Sequence, residues 1–179
     1  MRNIEIKARC VDLPAAAQAA ESLPASLHGV EWQRDVYFAC SAGRLKLRMR
    51  RPTEGSPPRA ELAGEVCELI GYHRGDAARP RASDYRIVPV PDGQAMEPVL
   101  REALGVTGEV VKRRMVYLFR NVRIHLDAVE GLGSFIEFEA VLTNPPDEAA
   151  APALIERLMT TFGIGPADLL AGSYADLSR

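Results

Sequence analysis

Hydrophobic and polar residues alternate one for one along four stretches of the chain, the signature of strands whose two faces meet different surroundings. Ile4, Ile6 and Ala8 alternate with Asn3, Glu5, Lys7 and Arg9, and Leu45, Leu47 and Met49 with Arg44, Lys46, Arg48 and Arg50. Further on, Val122, Ile124, Leu126 and Ala128 alternate with Arg123, His125 and Asp127, and Ile136, Phe138 and Ala140 with Glu137 and Glu139. Two more strands are predicted over residues 67–73 and 110–119, the latter placing Lys112 and Arg114 on one face with Val116 and Leu118, and short strands over 34–39 and 85–90.

Helical signals lie between and after these stretches. Asp12 caps a predicted helix that runs through Pro14 and a series of alanines to Ser22, proline being tolerated in a first turn. Asp92 starts another that ends near Leu104, where Gly105 supplies a stop. A third spans about 147–162, with Leu154, Leu158 and Met159 as its apolar stripe and Gly163 closing it; Pro152 weakens its first turns. A short turn follows over 166–170, and proline and charge mark 52–59 and 74–83 as loops.

A charged strand face ordinarily meets water, but a solvated face mixes its signs. Here carboxylates gather on the first strand and on the two that carry Asp127, Glu137 and Glu139, while cations gather on 44–50 and at Lys112 and Arg114. Glu137 and Glu139 share a face two residues apart, about 6 to 7 Å between Cα atoms. At an effective dielectric near 20 they repel by roughly 2 to 3 kcal/mol before salt screening. A divalent ion relieves that repulsion, since Mg²⁺ or Mn²⁺ takes one or two carboxylates and completes its shell with water and phosphate oxygens. The cationic row is quieted in the same way by a polyanion such as a triphosphate. Closing the sheet brings both sets inside and leaves the apolar faces outside, under the helices. The predicted fold is therefore α+β, a closed or nearly closed antiparallel barrel with flanking helices, in a single domain over 1–179.

Composition narrows the partners. A net charge of −2 over 179 residues lacks the cationic excess that nucleic acid or anionic lipid selects. No stretch approaches membrane-spanning length, and the first ten residues do not read as a signal peptide, so a cytoplasmic location is expected. Cys10, Cys40 and Cys67 are odd in number and widely spaced, which predicts reduced, partly buried thiols, and His28, His73 and His125 show no zinc spacing.

Several strings in order resemble the CYTH superfamily, the triphosphate tunnel metalloenzymes that include class IV adenylate cyclases and thiamine triphosphatases. They are Asn3-Ile4-Glu5-Ile6-Lys7-Ala8-Arg9, then Gln33-Arg34-Asp35-Val36-Tyr37-Phe38, Gly43-Arg44-Leu45-Lys46-Leu47-Arg48 and Ser83-Asp84-Tyr85-Arg86. The most specific is His125-Leu126-Asp127-Ala128-Val129-Glu130-Gly131-Leu132-Gly133, leading into Phe135-Ile136-Glu137-Phe138-Glu139, and Ser173-Tyr174-Ala175-Asp176-Leu177 resembles the family's ending.

The resemblance implies roles residue by residue. Glu5 and Lys7 match the second acid and the lysine of the family's Glu-x-Glu-x-Lys signature, with Asn3 standing where the first acid is found. Glu5, Asp127, Glu137 and Glu139 match ligands for Mg²⁺ or Mn²⁺. Lys7, Lys46, Arg48, Arg114 and Arg123 match cations that grip the triphosphate, with Lys112 as a helper. Tyr37 matches a tyrosine that acts on the attacking water in thiamine triphosphatases, and Arg74 stands in for their lysine as a cation, so Lys7, Tyr37 and Arg74 are the catalytic candidates. Arg74 also falls among the phosphate-binding cations. The implied reaction is metal-dependent hydrolysis of a small-molecule triphosphate, inorganic or organic. The alternatives are an adenylate cyclase making cyclic AMP and pyrophosphate, and a non-catalytic polyphosphate or nucleotide binding module. The family's tendency to dimerise makes a homodimer an expectation.

Overall fold

A computed structural model describes residues 1–53 and 64–177. Eight strands, β1 (Arg2–Arg9), β2 (Ser26–Phe38), β3 (Arg44–Pro52), β4 (Val66–Arg74), β5 (Arg81–Pro89), β6 (Val106–Phe119), β7 (Val122–Val129) and β8 (Gly133–Val141), close into an antiparallel barrel. The order around it is β1-β5-β4-β3-β2-β6-β7-β8, with β8 pairing back to β1. The helices are α1 (Leu13–Ser22), α2 (Gly93–Leu104), α3 (Pro145–Thr161) and α4 (Tyr174–Leu177), with a 3₁₀ turn over Pro166–Asp168.

The alternation decides which face goes where. Ile6, Ala8, Ile124, Leu126, Ile136, Phe138 and Ala140 point outward and pack against Ala16 and Ala20 of α1 and Leu154, Ile155 and Leu158 of α3. A second outer cluster sets Val36, Phe38, Leu47 and Met49 beneath Val90, which follows β5, and Leu100 of α2. The hydrophobic effect therefore wraps the barrel from outside, and the alternate positions, charged on most strands, are left to face the lumen.

Capping follows the sequence. The carboxylates of Asp12 and Asp92 accept from the amides of Ala15 and Ala95, each 2.9 Å. Gly105 ends α2 at φ 73°, a left-handed value that a side chain would strain. Strand limits depart further from expectation. β2 begins at Ser26, eight residues before the predicted 34, and a bulge between Leu27 and Gly29 breaks the alternation over its first residues. Arg74 and Arg81, assigned to a loop over 74–83, belong to β4 and β5. β6 begins at Val106 rather than 110. Asn144 accepts from Asp147 N at 3.0 Å and starts α3 at Pro145; the helix continues through Pro152, so the proline does not delay it. In the predicted 52–59 loop, Pro52 ends β3 and residues 54–59 lie outside the described residues. Cys10, Cys40 and Cys67 are free thiols; Cys40 is exposed and the others half-buried. Among the described residues no helix is long and apolar enough to cross a membrane.

Candidate active site in the barrel lumen

The lumen holds a cavity of about 120 Å³, open at its mouth. Seven cations line it, Lys7, Lys46, Arg48, Arg74, Lys112, Arg114 and Arg123, with four carboxylates, Glu5, Asp35, Glu137 and Glu139. Every residue expected at the site from the sequence faces this space except Asp127, which lies fully buried just behind it. One end of the lumen is filled by an apolar cluster of Tyr37, Val110, Val129, Phe135, Tyr174 and Ala175. There α4 lies so close to β6 that a Cβ added to Gly108 would come within 3.1 Å of the Ala175 Cβ.

Three ion-paired centres organise the walls. Asp35 accepts from Lys46 Nζ at 2.9 Å and from Arg48 Nε and NH2 at 2.7 and 2.8 Å. Asp127 accepts from Lys112 Nζ at 3.1 Å, from Arg114 Nε and NH2 at 2.7 and 2.6 Å, and from the Tyr174 hydroxyl at 2.8 Å. Glu137 receives Arg114 NH2 at 2.7 Å and faces Lys7 Nζ at 3.3 Å. Burial alone would raise these carboxyls. For Asp35, Arg48 and Lys46 outweigh it; for Asp127, Arg114 and Lys112 do; for Glu137, Lys7, His125 and Arg114 do, and all three are held below the usual carboxylate range.

The cations feel the opposite pressure. Burial and the neighbouring Arg48 push Lys46 down to about 8, and burial and Arg114 push Lys112 down to about 7. Both lysines are thus poised to gain protons when an anion arrives. The sign gives a paired prediction. An unfolded lysine titrates near about 10.4, so between about pH 7 and 10 the unfolded chain binds more protons and these two groups make the fold more stable as pH rises. Triphosphate affinity moves the other way, weakening as pH rises through 7 to 9. Denaturant melts and binding titrations over that range measure the two slopes, and slopes of the same sign would contradict this electrostatic picture.

Glu5 sits elsewhere on the wall. It is hydrogen-bonded to Arg74 NH1 and lies 3.7 Å from Arg81 Nε, while Glu139 is its partner across the β1–β8 ladder. Burial, then the charges of Glu137 and, despite Arg74, of Glu139, raise its pKa. Arg74 stays protonated, because Glu5 outweighs the cost of burial. Tyr37 also keeps its proton, burial and the neighbouring Tyr72 pushing its phenol well above 10. Neither Arg74 nor Tyr37 is therefore a base here; each is a donor.

His125, Glu137 and Glu139 offer ligand atoms that all lie within 4.8 Å of one another. His125 Nδ1 and Asn3 Oδ1 are buried with no hydrogen-bond partner among the described residues. Crowded carboxylates whose repulsion raises Glu5, an unsatisfied ring nitrogen and an unsatisfied carbonyl oxygen are donors that suit Mg²⁺ or, with the imidazole, Mn²⁺. Asp127 differs from the other expected ligands in lying behind the cavity lining, where its oxygens are held by Lys112, Arg114 and Tyr174.

Sequence reasoning missed several residues. Asp35 lies in the Gln33–Phe38 stretch with no local partner to mark it; its lone carboxylate gains meaning only once β2 and β3 bring it against Lys46 and Arg48. Arg81 lay in the supposed loop, and His125 was judged by spacings suited to helices, whereas its partners Glu137 and Glu139 belong to the next strand. Tyr174 was noted at the chain's end, but nothing local shows that its ring reaches within 3.6 Å of Lys7 Nζ.

A family model described as the CYTH domain matches residues 1–174. Among solved structures, the PH1012 protein of Pyrococcus horikoshii is similar over 98% of this chain and 98% of its own, with 26% identity and a TM-score of 0.77. A conserved hypothetical protein of Pyrococcus furiosus covers 98% and 99% of the two chains at 22% identity and TM-score 0.75. A Vibrio parahaemolyticus protein described as a candidate adenylate cyclase covers 99% and 98% at 17% identity and TM-score 0.70; at that identity the likeness speaks for the fold alone. No curated protein matches the chain significantly. With eight strands closed around sorted charges and a family model spanning nearly its whole length, the chain belongs to the CYTH domain family.

Proposed function

We propose that the chain catalyses divalent-metal-dependent hydrolysis of a small-molecule triphosphate inside the barrel. The observation that carries this reading is the imbalance of the lumen, where seven cations face four carboxylates in one cavity. Such an enclosure is costly when empty and is relieved by a polyanion, whose charged oxygens take the free N–H groups of the guanidiniums. Arg74 Nε and NH2 are buried without a hydrogen-bond partner among the described residues, which leaves them for a ligand.

In this reading Lys46, Arg48, Lys112 and Arg114 hold the phosphate chain from one wall, and Lys7, Arg74 and Arg123 from the others. The guanidiniums are charged before substrate arrives and Lys46 and Lys112 complete their protonation as it enters, so positioned cations stabilise negative charge that shifts among the phosphate oxygens. Tyr37 donates a hydrogen bond from a phenol that keeps its proton. Glu137, Glu139 and His125, with Glu5 on the adjoining strand, would hold the metal, which supplies Lewis-acid stabilisation of the phosphoryl oxygens. Water is the nucleophile, attacking the terminal phosphorus.

Incubation of the purified chain with ATP or tripolyphosphate and Mg²⁺ or Mn²⁺, followed by separation of products, tests the reading. Orthophosphate is the expected product. Cyclic AMP with pyrophosphate would make the chain a cyclase, in which the ribose 3′-hydroxyl attacks the innermost phosphorus, and tight binding without turnover would make it a binding module. Arg48→Ala should act chiefly on binding, raising KM by about 10-fold or more through loss of a charge-assisted contact, with a smaller effect on kcat. Steady-state kinetics with both parameters resolved checks this.

A further inference from the structure

Charge does not line the cavity evenly. The walls formed by β3, β6 and β8 present Lys46, Arg48, Lys112, Arg114, Glu137 and Glu139. The wall formed by β4 and β5 is charged at one end only: Arg74 stands opposite Ser83, but further along the ladder Tyr72 stands opposite Tyr85 and Ile70 opposite Ile87. All six line the cavity, and among the described residues the two isoleucines are the only aliphatic side chains that do so.

Ile70 is buried, yet packing into the apolar clusters accounts neither for it nor for Tyr85 and Ile87. Each of the three apolar clusters of the described residues omits them, although Tyr72 and the outward-facing Leu69 are included. Ile87 and Tyr85 are only half-buried, so their hydrocarbon stays in contact with solvent in the lumen. A phosphate laid on this wall would lose water and gain no partner from the isoleucines. A carbon group laid there would release the water from both surfaces.

We infer that the part of the β4–β5 wall built on the Ile70–Ile87 pair and edged by Tyr85 is a subsite for the organic part of an organic triphosphate, a flat ring such as a nucleobase, while Arg74, four residues on along β4, and the facing walls take its phosphates. The inference rests on the triphosphate reading and narrows it: the preferred substrate is organic, and Ile87 is a specificity-determining residue. Tyr85 offers the ring a face to stack on, and the isoleucines supply the hydrocarbon floor.

Calorimetric titration of the full chain with ATP and with tripolyphosphate, both in the presence of Mg²⁺, tests it. Ile87→Ala should weaken ATP by about 5- to 10-fold, the loss expected when a few methyl and methylene contacts disappear, and leave tripolyphosphate within about twofold. Ile87→Lys separates the ligands further, because an added cation strengthens tripolyphosphate while the lost hydrocarbon weakens ATP. Equal changes for the two ligands in both variants, or none, would overturn the subsite while leaving the triphosphate tunnel intact. Failure of the unaltered chain to bind either ligand would overturn the tunnel reading itself, and the subsite with it.

Discussion

Replacing Arg114 with Met should destabilise the ligand-free fold by about 3–5 kcal/mol, the cost typical of removing one member of a buried charge cluster. Arg114 is 3% exposed, bonds both oxygens of the fully buried Asp127 and also reaches Glu137. Without it, Asp127 keeps only Lys112 and Tyr174, and burial raises its carboxyl instead of being outweighed. The same substitution combined with Asp127→Asn should recover more than half of the loss, since the stranded charge is then gone. Urea melts at neutral pH measure both effects. A single-variant loss below about 1 kcal/mol would mean that the cluster behaves like a surface ion pair.

Activity should respond most to Glu137→Gln. This change keeps the shape of the side chain but removes a charge from the group formed with His125 and Glu139. Metal-dependent turnover should fall at least about 100-fold, beyond what loss of a residue merely supporting a metal ligand causes. Folding should change far less, because Arg114 retains both bonds to Asp127, while Arg114 and Lys7 each lose one carboxylate contact. Turnover against Mn²⁺ concentration, with a parallel denaturant melt, separates the two outcomes. Activity that persists at saturating Mn²⁺ would show only weakened affinity, whereas unchanged activity at low metal would remove Glu137 from the site.

Legibility in the sequence followed strand physics. Where a strand is wet or charged on one face and apolar on the other, as at 3–9, 44–50, 122–129 and 135–141, period alone gave its two faces, and the inverted barrel followed from requiring the charges to meet. Where a strand carries a bulge, as β2 does at Leu27 and Gly29, or begins directly after a helix stop, as β6 does at Val106, the period is broken and the limits were lost. The cationic grip was legible because Lys46 and Arg48, and Lys112 and Arg114, are two residues apart on single strands. Groups defined by neighbours on other strands were not: Asp35 between β2 and β3, His125 beside Glu137, and Arg81 near Glu5 become visible only through the register. The seal at one end is tertiary in the same sense, since Tyr174 reaches Asp127 across 47 positions of sequence.

Titration calorimetry of tripolyphosphate with Mg²⁺ at pH 8, repeated in buffers of different ionisation enthalpy, reads the central claim directly. Convergent lysines whose pKa values are pushed down to about 8 and about 7 in the empty lumen must take up protons as a polyanion enters. One ligand should bind per chain with net proton uptake, and Lys46→Met or Lys112→Met should reduce that uptake. Absence of binding, or binding whose heat is the same in every buffer, would contradict the account.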